Sequence, residues 1–487
     1  MDRGWSPVPT TSSSMTERSP IGDQGLDLHT QTPNSLVDAD VLAGPSDPAQ
    51  PEAGSAASLI RIEGGHRLQG TVTVGGSKNL MLPAFAAALL TSEPCEFDNV
   101  PAIEDTRVML RLLQSLGAHV DPDPTHGDFF RLIREHKRVV IEAAEITSTE
   151  VPVALARAIR ASFLVVAPLL VRAHRASSPS PGGDLIGSRP IDVAVRGLQS
   201  LGATAVSYSA DGVVLEADRL VGEEQIYLDY PAHTGTEVLL MAAARAVGTT
   251  NIINAPCEPE VVAFGHMLRR MGANIEGLGS PHIKIQGVPR LHGVSELIMP
   301  DRLVAGTFAI AAAMTGGDIT IQKVVAADML PVTHKLRAVG ATALVDSGKM
   351  FVRGSSELRA VDVQALPFPG FPTDQQAMFA ALLTQAQGVS NLHERVYENR
   401  LGYVEHLQRM GADIQVKGGV RAEITGPTRL TGASVEALDI RAGATLVLAG
   451  LVAGGETVIA DVGHLARGYE EFVVKLNALG AHITESV

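Results

Sequence analysis

One short pattern, the end of a helix followed by Gly-Ala and the start of a strand, occurs six times in this chain. In each copy the glycine follows an amphipathic helix, where it favours the left-handed conformation that closes a helix C-terminus. The copies recur about every 70 residues, which is too long for a solenoid repeat and suits one small α/β unit per copy. The six glycines are Gly117, Gly202, Gly272, Gly340, Gly411 and Gly480.

A second element recurs with the same period, an alanine-rich segment that is apolar on nearly every side. A helix without a polar face is expected to be buried, whereas the helices before the Gly-Ala pairs are amphipathic. Six buried and six surface helices with short strands predict an α/β fold of six β-α-β-α-β-β units. Three units per domain would give two domains that meet at a cleft, a common place for a ligand site. The predicted buried helices are Leu82–Leu90, Val153–Leu170, Thr236–Ala246, Val304–Met314, Gln375–Gln385 and Ala442–Val452.

Composition argues against several classes of protein. The formal net charge of −14 disfavours a general nucleic-acid binder, and the longest apolar stretch, Phe163 to Val171, is too short to span a membrane. Two distant cysteines, Cys95 and Cys257, predict neither a disulfide framework nor a zinc site and fit a reducing cytosol. Residues 1–57, rich in Ser, Pro and Thr, predict a disordered tail without a signal peptide. The oligomeric state stays open.

Two basic residues, Lys78 and Arg160, occur in segments where the role of a positive charge must be explained. In the segment Gly75-Gly-Ser-Lys78-Asn79 the glycines let the backbone approach an anion, and Lys78 supplies a point charge. A surface turn with a solvated lysine explains this segment equally simply. Arg160 lies within a predicted apolar helix, so it needs a partner there. Arg160 therefore binds a ligand, forms a structural ion pair or extends its side chain to solvent.

Two segments carry candidate acids. The first interval between repeats is about fifteen residues longer than the others, and the excess contains a glycine-rich loop with Asp184 and Arg189. Such a loop can close over a substrate and deliver a proton, or it can be only a flexible connection. Asp374 opens a predicted buried helix in Phe371-Pro-Thr-Asp-Gln-Gln376, where it is either a helix cap or a general base.

Three arginines, Arg400, Arg441 and Arg467, follow corresponding elements of the last units and could converge on an anion. Arginine suits bidentate binding of phosphate and carboxylate, although each of the three could instead lie on the surface. The sequence contains no HExxH, no GxSxG and no cluster of His and Cys. No metal and no cofactor are therefore expected.

Taken together, these segments resemble the enolpyruvyl transferases, and within them the UDP-N-acetylglucosamine branch. The most specific pieces are GGSKN, the PGG-x-x-IG-x-RP-x-D loop, FPTDxQA, YENR and ARGYE, and the resemblance runs from about Ile60 to the C-terminus. It implies an inside-out α/β barrel of two domains, each of three β-α-β-α-β-β units. Domain I would comprise 58–77 plus 299–487, and domain II would comprise 78–298 with a mobile catalytic loop at 177–190.

The resemblance also implies a reaction, the transfer of the enolpyruvyl group of phosphoenolpyruvate to the 3′-hydroxyl of UDP-N-acetylglucosamine with release of phosphate. Through peptidoglycan precursors this reaction serves cell shape and division. Lys78, Arg189 and Arg467 would bind phosphoenolpyruvate, with Asn79 as a polar partner. Asp374 would hold and deprotonate the attacking hydroxyl group.

Further residues would contact the nucleotide sugar. Arg400 and Arg441 would complete a cationic cleft. The remaining residues implied along the nucleotide sugar are Arg160, Arg189, Pro190, Ile191, Asp192, Val193 and Val396.

The chain departs from the family pattern at the loop acid, since Asp184 stands where many members have Cys. We expect Asp184 to be the proton donor and fosfomycin, which alkylates that Cys, to leave the protein active. Ala194 stands where many members have His, and the segment Asp229–Gly235 replaces a shorter one that contains Lys. Two alternatives therefore stay open: transfer to another nucleotide in a secondary-metabolite pathway, and a non-catalytic paralogue that binds a UDP-sugar.

Overall fold

A computed structural model describes residues 59–184, 186–187 and 191–486. The predicted disordered tail, 1–57, lies outside this part of the chain. The described residues form short strands, in chain order β1 (Leu59–Glu63), β2 (Gln69–Thr73), β3 (Cys95–Asp98), β4 (His119–Asp121), β5 (Arg138–Glu142), β6 (Arg175–Pro179), β7 (Thr204–Ser209), β8 (Gly212–Glu216), β9 (Ile226–Tyr227), β10 (Thr249–Ile253), β11 (Asn274–Glu276), β12 (His282–Gln286), β13 (Ser295–Leu297), β14 (Asp318–Gln322), β15 (Thr342–Asp346), β16 (Lys349–Arg353), β17 (Val363–Ala365), β18 (Gly388–Glu394), β19 (Asp413–Lys417), β20 (Arg421–Gly426), β21 (Ser434–Glu436), β22 (Glu456–Ala460) and β23 (His482–Ser486).

Helices separate these strands, and two 3₁₀ segments, Ala88–Leu90 and Arg160–Val165, extend the helical regions. Within the described part of the chain, none of the helices combines the length and hydropathy that a membrane span requires. The α-helices are α1 (Lys78–Ala87), α2 (Glu104–Ser115), α3 (Phe129–His136), α4 (Val153–Ala158), α5 (Val166–Ala173), α6 (Asp192–Ser200), α7 (His233–Ala243), α8 (Pro259–Arg270), α9 (Arg302–Met314), α10 (Leu330–Ala338), α11 (Thr373–Leu383), α12 (Tyr403–Arg409), α13 (Ile440–Val452), α14 (Gly463–Ala466) and α15 (Phe472–Ala478).

The six repeated glycines all adopt the left-handed conformation, with φ between +95° and +110°. They follow α2, α6, α8, α10, α12 and α15, so each ends an amphipathic helix as predicted. The alanine-rich helices α1, α7, α9, α11 and α13 are buried along almost their whole length. The backbone preference of glycine at the helix ends and the hydrophobic pattern of the helices therefore favour the same arrangement, in which the alanine-rich helices are buried and the amphipathic helices are more exposed.

The strands form six sheets within the described residues. Five sheets have four strands, and one has three. Their strand orders are β13-β3-β5-β4, β6-β8-β7, β11-β12-β10-β9, β15-β16-β14-β2, β17-β18-β20-β19 and β21-β22-β1-β23. Strand β1 pairs antiparallel with β22 and β23, and β2 pairs parallel with β14. The first two strands are thus built into sheets that otherwise come from the C-terminal half.

The buried apolar residues form two separate clusters, which we call core A and core B. Core A extends from Leu80 to Ile298. Core B combines Ile60–Val74 with Ala305–Ile483. The chain therefore starts in core B, passes through core A and returns. The boundaries of the two domains remain a prediction. A division into two domains requires two separate cores, and the described residues form two.

The structure differs from the sequence prediction around Arg160. The predicted helix Val153–Leu170 is interrupted, because Ile159 is extended (φ −139°, ψ 141°) and a 3₁₀ segment begins at Arg160. The following loop fills the break, where the Gly182 N–H donates to Ala156 O at 3.0 Å. A Cβ at Gly182 would lie 1.9 Å from Arg157 O.

The predicted loop at 177–190 also begins too early. Ser177, Ser178 and Pro179 belong to β6, which pairs antiparallel with β8. The Ser and Pro residues suggested a loop from the sequence, but this pairing satisfies the backbone as far as Pro179.

Candidate functional site

A cavity of about 230 Å³ has walls from elements of both cores. Helix starts contribute much of the lining, so the side chains at the first turns of α1, α7, α9, α11 and α13 converge there. Its titratable lining residues are Lys78, Asp105, Arg160, Asp184, Tyr230, His233, Glu237, Glu258, Arg302, Asp374, Tyr397, Arg400, Arg441 and Arg467. A cavity of this composition favours a polar, anionic ligand.

Asp105 connects two cations of the cavity. Its carboxylate contacts Lys78 Nζ at 2.6 Å and Arg467 Nε at 3.0 Å. Asp105 is 1% exposed, so the two contacts compensate a carboxylate that is withdrawn from water. Lys78 begins α1 beside core A, whereas Arg467 follows α14 in core B. This carboxylate therefore fixes two cations of different cores beside each other.

The loop acid Asp184 reaches the same arginine. Asp184 Oδ1 accepts from Arg467 Nη1 at 2.8 Å, so Arg467 bridges Asp105 and Asp184. Burial alone would lower the pKa of Arg467, but these two carboxylates raise it above its ordinary value. The loop acid is thus held against a permanent cation at the cavity wall.

Asp374 lies between two arginines at the start of α11. Arg400 Nη2 donates to Oδ1 at 2.7 Å, and Arg441 Nη2 donates to Oδ2 at 3.1 Å. Burial would raise the pKa of the Asp374 carboxyl, but the two guanidinium groups lower it far below its usual range. The helix has Pro372 at its N-cap and no side-chain cap. The position of Asp374 at the start of α11 is therefore explained by its ion pairs with Arg400 and Arg441 rather than by helix capping.

Two capping aspartates orient the helices that carry cavity residues. Asp439 accepts from the backbone N–H groups of Arg441 and Ala442 at the start of α13, at 2.7 and 2.9 Å. Asp301 does the same at the start of α9 and also accepts from the Lys78 N–H at 3.3 Å. Such caps satisfy donors that the first helical turn leaves unpaired. Asp301 thereby joins the first turns of α1 and α9, and Asp439 fixes the first turn of α13.

A second charged cluster, which we call the acid–histidine wall, lies at the cavity, and all of its members except Glu260 line it. It contains His233, Glu237, Glu258, Glu260 and Arg302. His233 Nδ1 lies 3.4 Å from Glu237 Oε1, and Arg302 pairs with Glu260 at 2.9 Å. Burial would lower the pKa of His233, but Glu237, Glu258 and Glu260 raise it to about 9. Sequence reasoning did not identify this cluster as functional.

The remaining candidate residues fall into three groups. Asn79, Arg160 and Val396 line the cavity, and Arg160 Nη1 donates to Pro181 O at 3.3 Å. The segment 191–193 is placed instead at the start of α6, where Asp192 pairs with Arg196 at 2.8 Å and Val193 packs beside Gly235. The predicted contacts of Arg189 and Pro190 lie outside the described residues.

Asp105 is the main cavity residue that the sequence reasoning missed. An aspartate in the first turn of an amphipathic helix is common, because it interacts favourably with the helix dipole. The sequence feature that could have identified Asp105 is its position on the helix face that also carries the buried residues Val108, Met109 and Leu112. A carboxylate on a buried face requires a cation, and that reasoning would have marked Asp105.

Comparison with known proteins assigns this chain to a family. A family model described as EPSP synthase (3-phosphoshikimate 1-carboxyvinyltransferase) matches residues 62–476. The chain belongs to this carboxyvinyltransferase family. Within the family, a UDP-N-acetylglucosamine 1-carboxyvinyltransferase of Desulfosudis oleivorans is 46% identical over 87% of this chain and 98% of its own length. One of Gloeobacter violaceus is 45% identical over 87% of this chain and 90% of its own.

Solved structures of family members share the fold. The enolpyruvyl transferase NikO from Streptomyces tendae aligns with a TM-score of 0.78 and 26% identity, over 89% of this chain and 99% of its own. An EPSP synthase from Acinetobacter baumannii aligns with a TM-score of 0.67 and 18% identity, over 89% and 100%. These likenesses confirm the predicted α/β fold class.

Proposed function

We propose that this protein transfers the enolpyruvyl group of phosphoenolpyruvate to the 3′-hydroxyl of UDP-N-acetylglucosamine and releases phosphate. The observation that carries the proposal is the cavity itself, where Lys78, Arg467, Arg400 and Arg441 converge with Asp184 and Asp374. The relatives that are 45–46% identical over most of this chain bear the name of this activity. The product would enter peptidoglycan synthesis, and the cysteine usage fits a cytosolic enzyme.

Phosphoenolpyruvate would bind at Lys78 and Arg467, because a phosphate and a carboxylate need adjacent cations. Arg467 is paired with Asp184 in the structure. An ion-paired carboxylate has no proton to give. The incoming substrate anion would therefore replace Asp184 as the partner of Arg467 and allow that carboxyl group to take up a proton.

The reaction would proceed by addition and then elimination. The acceptor oxygen attacks C2 of phosphoenolpyruvate while its proton passes to Asp374, and C3 receives the Asp184 proton. In the second step Asp184 takes a proton back from C3, the double bond re-forms, the C2–O bond to phosphate breaks and the proton held by Asp374 leaves with the phosphate. Fixed cations stabilise the charge that develops on the intermediate. Atoms and charges balance without a cofactor.

The ion pairs of Asp374 bear on its role as a base. A carboxylate whose pKa is far below its usual range is always ionised but binds a proton weakly. We propose that Arg400 and Arg441 turn partly toward the phosphate groups of the substrates. Sharing these arginines would raise the basicity of Asp374 when the acceptor hydroxyl is in place.

The test is phosphate release from phosphoenolpyruvate with UDP-N-acetylglucosamine, with UMP as the comparator acceptor and mass spectrometry of the product. We expect phosphate and a carboxyvinyl UDP-sugar. Turnover with UMP alone would support transfer to another nucleotide acceptor. Binding of UDP-N-acetylglucosamine without turnover of either acceptor would support a non-catalytic paralogue.

A further inference from the structure

We propose that Glu63, His66 and His482 form a binding site for a zinc-type divalent cation. Each side chain offers one ligand atom, and the three atoms all lie within 4.8 Å of one another. Two imidazoles and one carboxylate are a donor set that Zn²⁺ uses in proteins. This inference does not depend on the proposed reaction.

The backbone brings the three side chains together from the two ends of the described chain. In the β1–β23 ladder Glu63 is directly opposite His482, and Glu63 Oε2 lies 3.7 Å from His482 Nδ1. The imidazole of His66 stacks on that of His482, with ring centroids 3.6 Å apart and planes at 23°. The two rings and the carboxylate therefore share one side of the sheet edge.

The turn that carries His66 is held in place by close packing. A Cβ at Gly64 would lie 2.2 Å from Ala453 O, and Gly65 has φ +93°. The Gly65 N–H donates to Leu451 O at 2.8 Å, at the C-terminal end of α13. Glycine is the residue that readily allows both the close approach at position 64 and the positive φ at position 65. The Glu-Gly-Gly-His sequence thus fixes the backbone, while the exposed side chains of Glu63 and His482 and the partly exposed side chain of His66 can still rotate onto an ion.

The donor set selects the class of cation. Mg²⁺ and Ca²⁺ prefer oxygen ligands, whereas imidazole suits zinc and neighbouring transition metals. Zinc bonds to histidine nitrogen at about 2.0–2.1 Å in a tetrahedral arrangement. Three protein ligands leave one position for water. Small side-chain rotations from the observed positions would bring the donors to that distance.

A bound ion would join the first strand of the fold to the last one. Because it binds the folded chain and not separated strands, it would stabilise the fold by an amount that grows with the logarithm of its concentration relative to Kd. The site lies beside the C-terminal end of α13, while Arg441 lies at the other end of this helix, about 20 Å away. A role in stability rather than in the reaction follows.

The test is isothermal titration of the full, EDTA-treated chain with ZnCl₂, compared with MgCl₂. We expect saturable zinc binding that is lost in the H66A/H482A double variant. Glu63→Gln keeps the shape of the side chain and should weaken binding by on the order of tenfold or more, since even outer partners of metal ligands contribute that much. Zinc should also raise the unfolding temperature of the wild type but not of the double variant.

His119→Ala is a matched control. His119, like His482, follows a Gly-Ala pair and begins a strand opposite a glutamate, Glu142, but it belongs to no cluster of donors among the described residues. Its variant should bind zinc as the wild type does. Zinc binding that persists unchanged in H66A/H482A, a wild type that takes up no zinc, or equal binding of Mg²⁺ would each overturn the proposal. Far-UV circular dichroism of the metal-free variants checks that they fold.

Discussion

A single buried carboxylate, Asp105, holds Lys78 and Arg467 in the positions proposed for binding phosphoenolpyruvate. Asp105→Asn removes the charge and keeps the size. We expect kcat/KM for phosphoenolpyruvate to fall by on the order of 100-fold, because misplacement by about 1 Å can cost that much. Steady-state phosphate release measures the effect.

Glu104→Gln is the control for that experiment. Glu104 precedes Asp105, is partly exposed and pairs with Arg107 at 2.7 Å outside the cavity lining, so its replacement should leave kcat/KM unchanged. If Asp105→Asn retained the wild-type kcat/KM, the organising role of Asp105 would be wrong.

The loop acid, Asp184, gives a second prediction, which concerns the inhibitor fosfomycin. The wild type should keep its activity in fosfomycin, because Asp184 is not a thiol and burial raises the pKa of the Cys95 thiol to about 11. Asp184→Cys should be inactivated over time and gain the mass of one fosfomycin molecule. Asp184→Ser, of similar size but without a thiol, should gain no mass. A fosfomycin adduct on the wild type would contradict the expectation.

Motifs revealed individual residues better than their contacts. Lys78, Asp374 and Arg467 were predicted because they occur within recognisable segments, and all three line one cavity. The contacts of Asp105 could not be predicted in the same way, since its partners Lys78 and Arg467 come from distant segments and meet only in the folded chain. Pairings across a fold depend on packing rather than on local sequence.

At the level of helices, the cap glycines provide a test of backbone conformation. Gly411 has φ +95°, and a Cβ there would meet no atom closer than 3.5 Å. Gly411→Ala should therefore lower the free energy of unfolding by about 1–2 kcal/mol through the left-handed conformation alone. Gly463→Ala is the control, because its added Cβ has nothing within 4 Å and its φ is not positive. Denaturant unfolding compares both variants, and equal stability would refute the conformational explanation.

Helix ends were predictable where a local preference decides them, as at the six cap glycines. The break at Ile159 was not, because its cause lies in a loop more than twenty residues later. Gly182 needs the space beside Arg157 O that a continuous helix would fill. The sequence Val153–Leu170 has the apolar character of one helix, so its pattern alone could not indicate the interruption.

Across the whole molecule, ion pairs around the cavity connect core A with core B. Arg467 reaches Asp105 and Asp184, and Arg302 reaches Glu260. In each pair the two residues are more than forty positions apart in the sequence. The count of repeats therefore predicted two groups of units, but not the ion pairs that connect them. Because all of these groups except Glu260 also line the cavity, binding an anionic substrate would redistribute the same charges that hold the two cores together.

The acid–histidine wall makes the stability of the whole fold depend on pH. The pKa of His233 rises from its ordinary 6.5 to about 9 in the folded chain, so the folded state binds this proton more tightly than the unfolded state does. The stabilisation is complete below pH 6.5 and is lost as the pH rises through about 9. His233→Gln should therefore destabilise the protein more at pH 6.5 than at pH 9.5.

Urea unfolding at several pH values measures that difference. Replacement of the exposed His282 by Gln is the control, since this residue lies on β12 outside the acid–histidine wall. Its effect on the free energy of unfolding should not follow the profile of His233→Gln. A destabilisation by His233→Gln that stays constant from pH 6.5 to 9.5 would mean that Glu237, Glu258 and Glu260 do not hold a proton on His233. The wall would then stabilise the fold through packing and neutral hydrogen bonds alone.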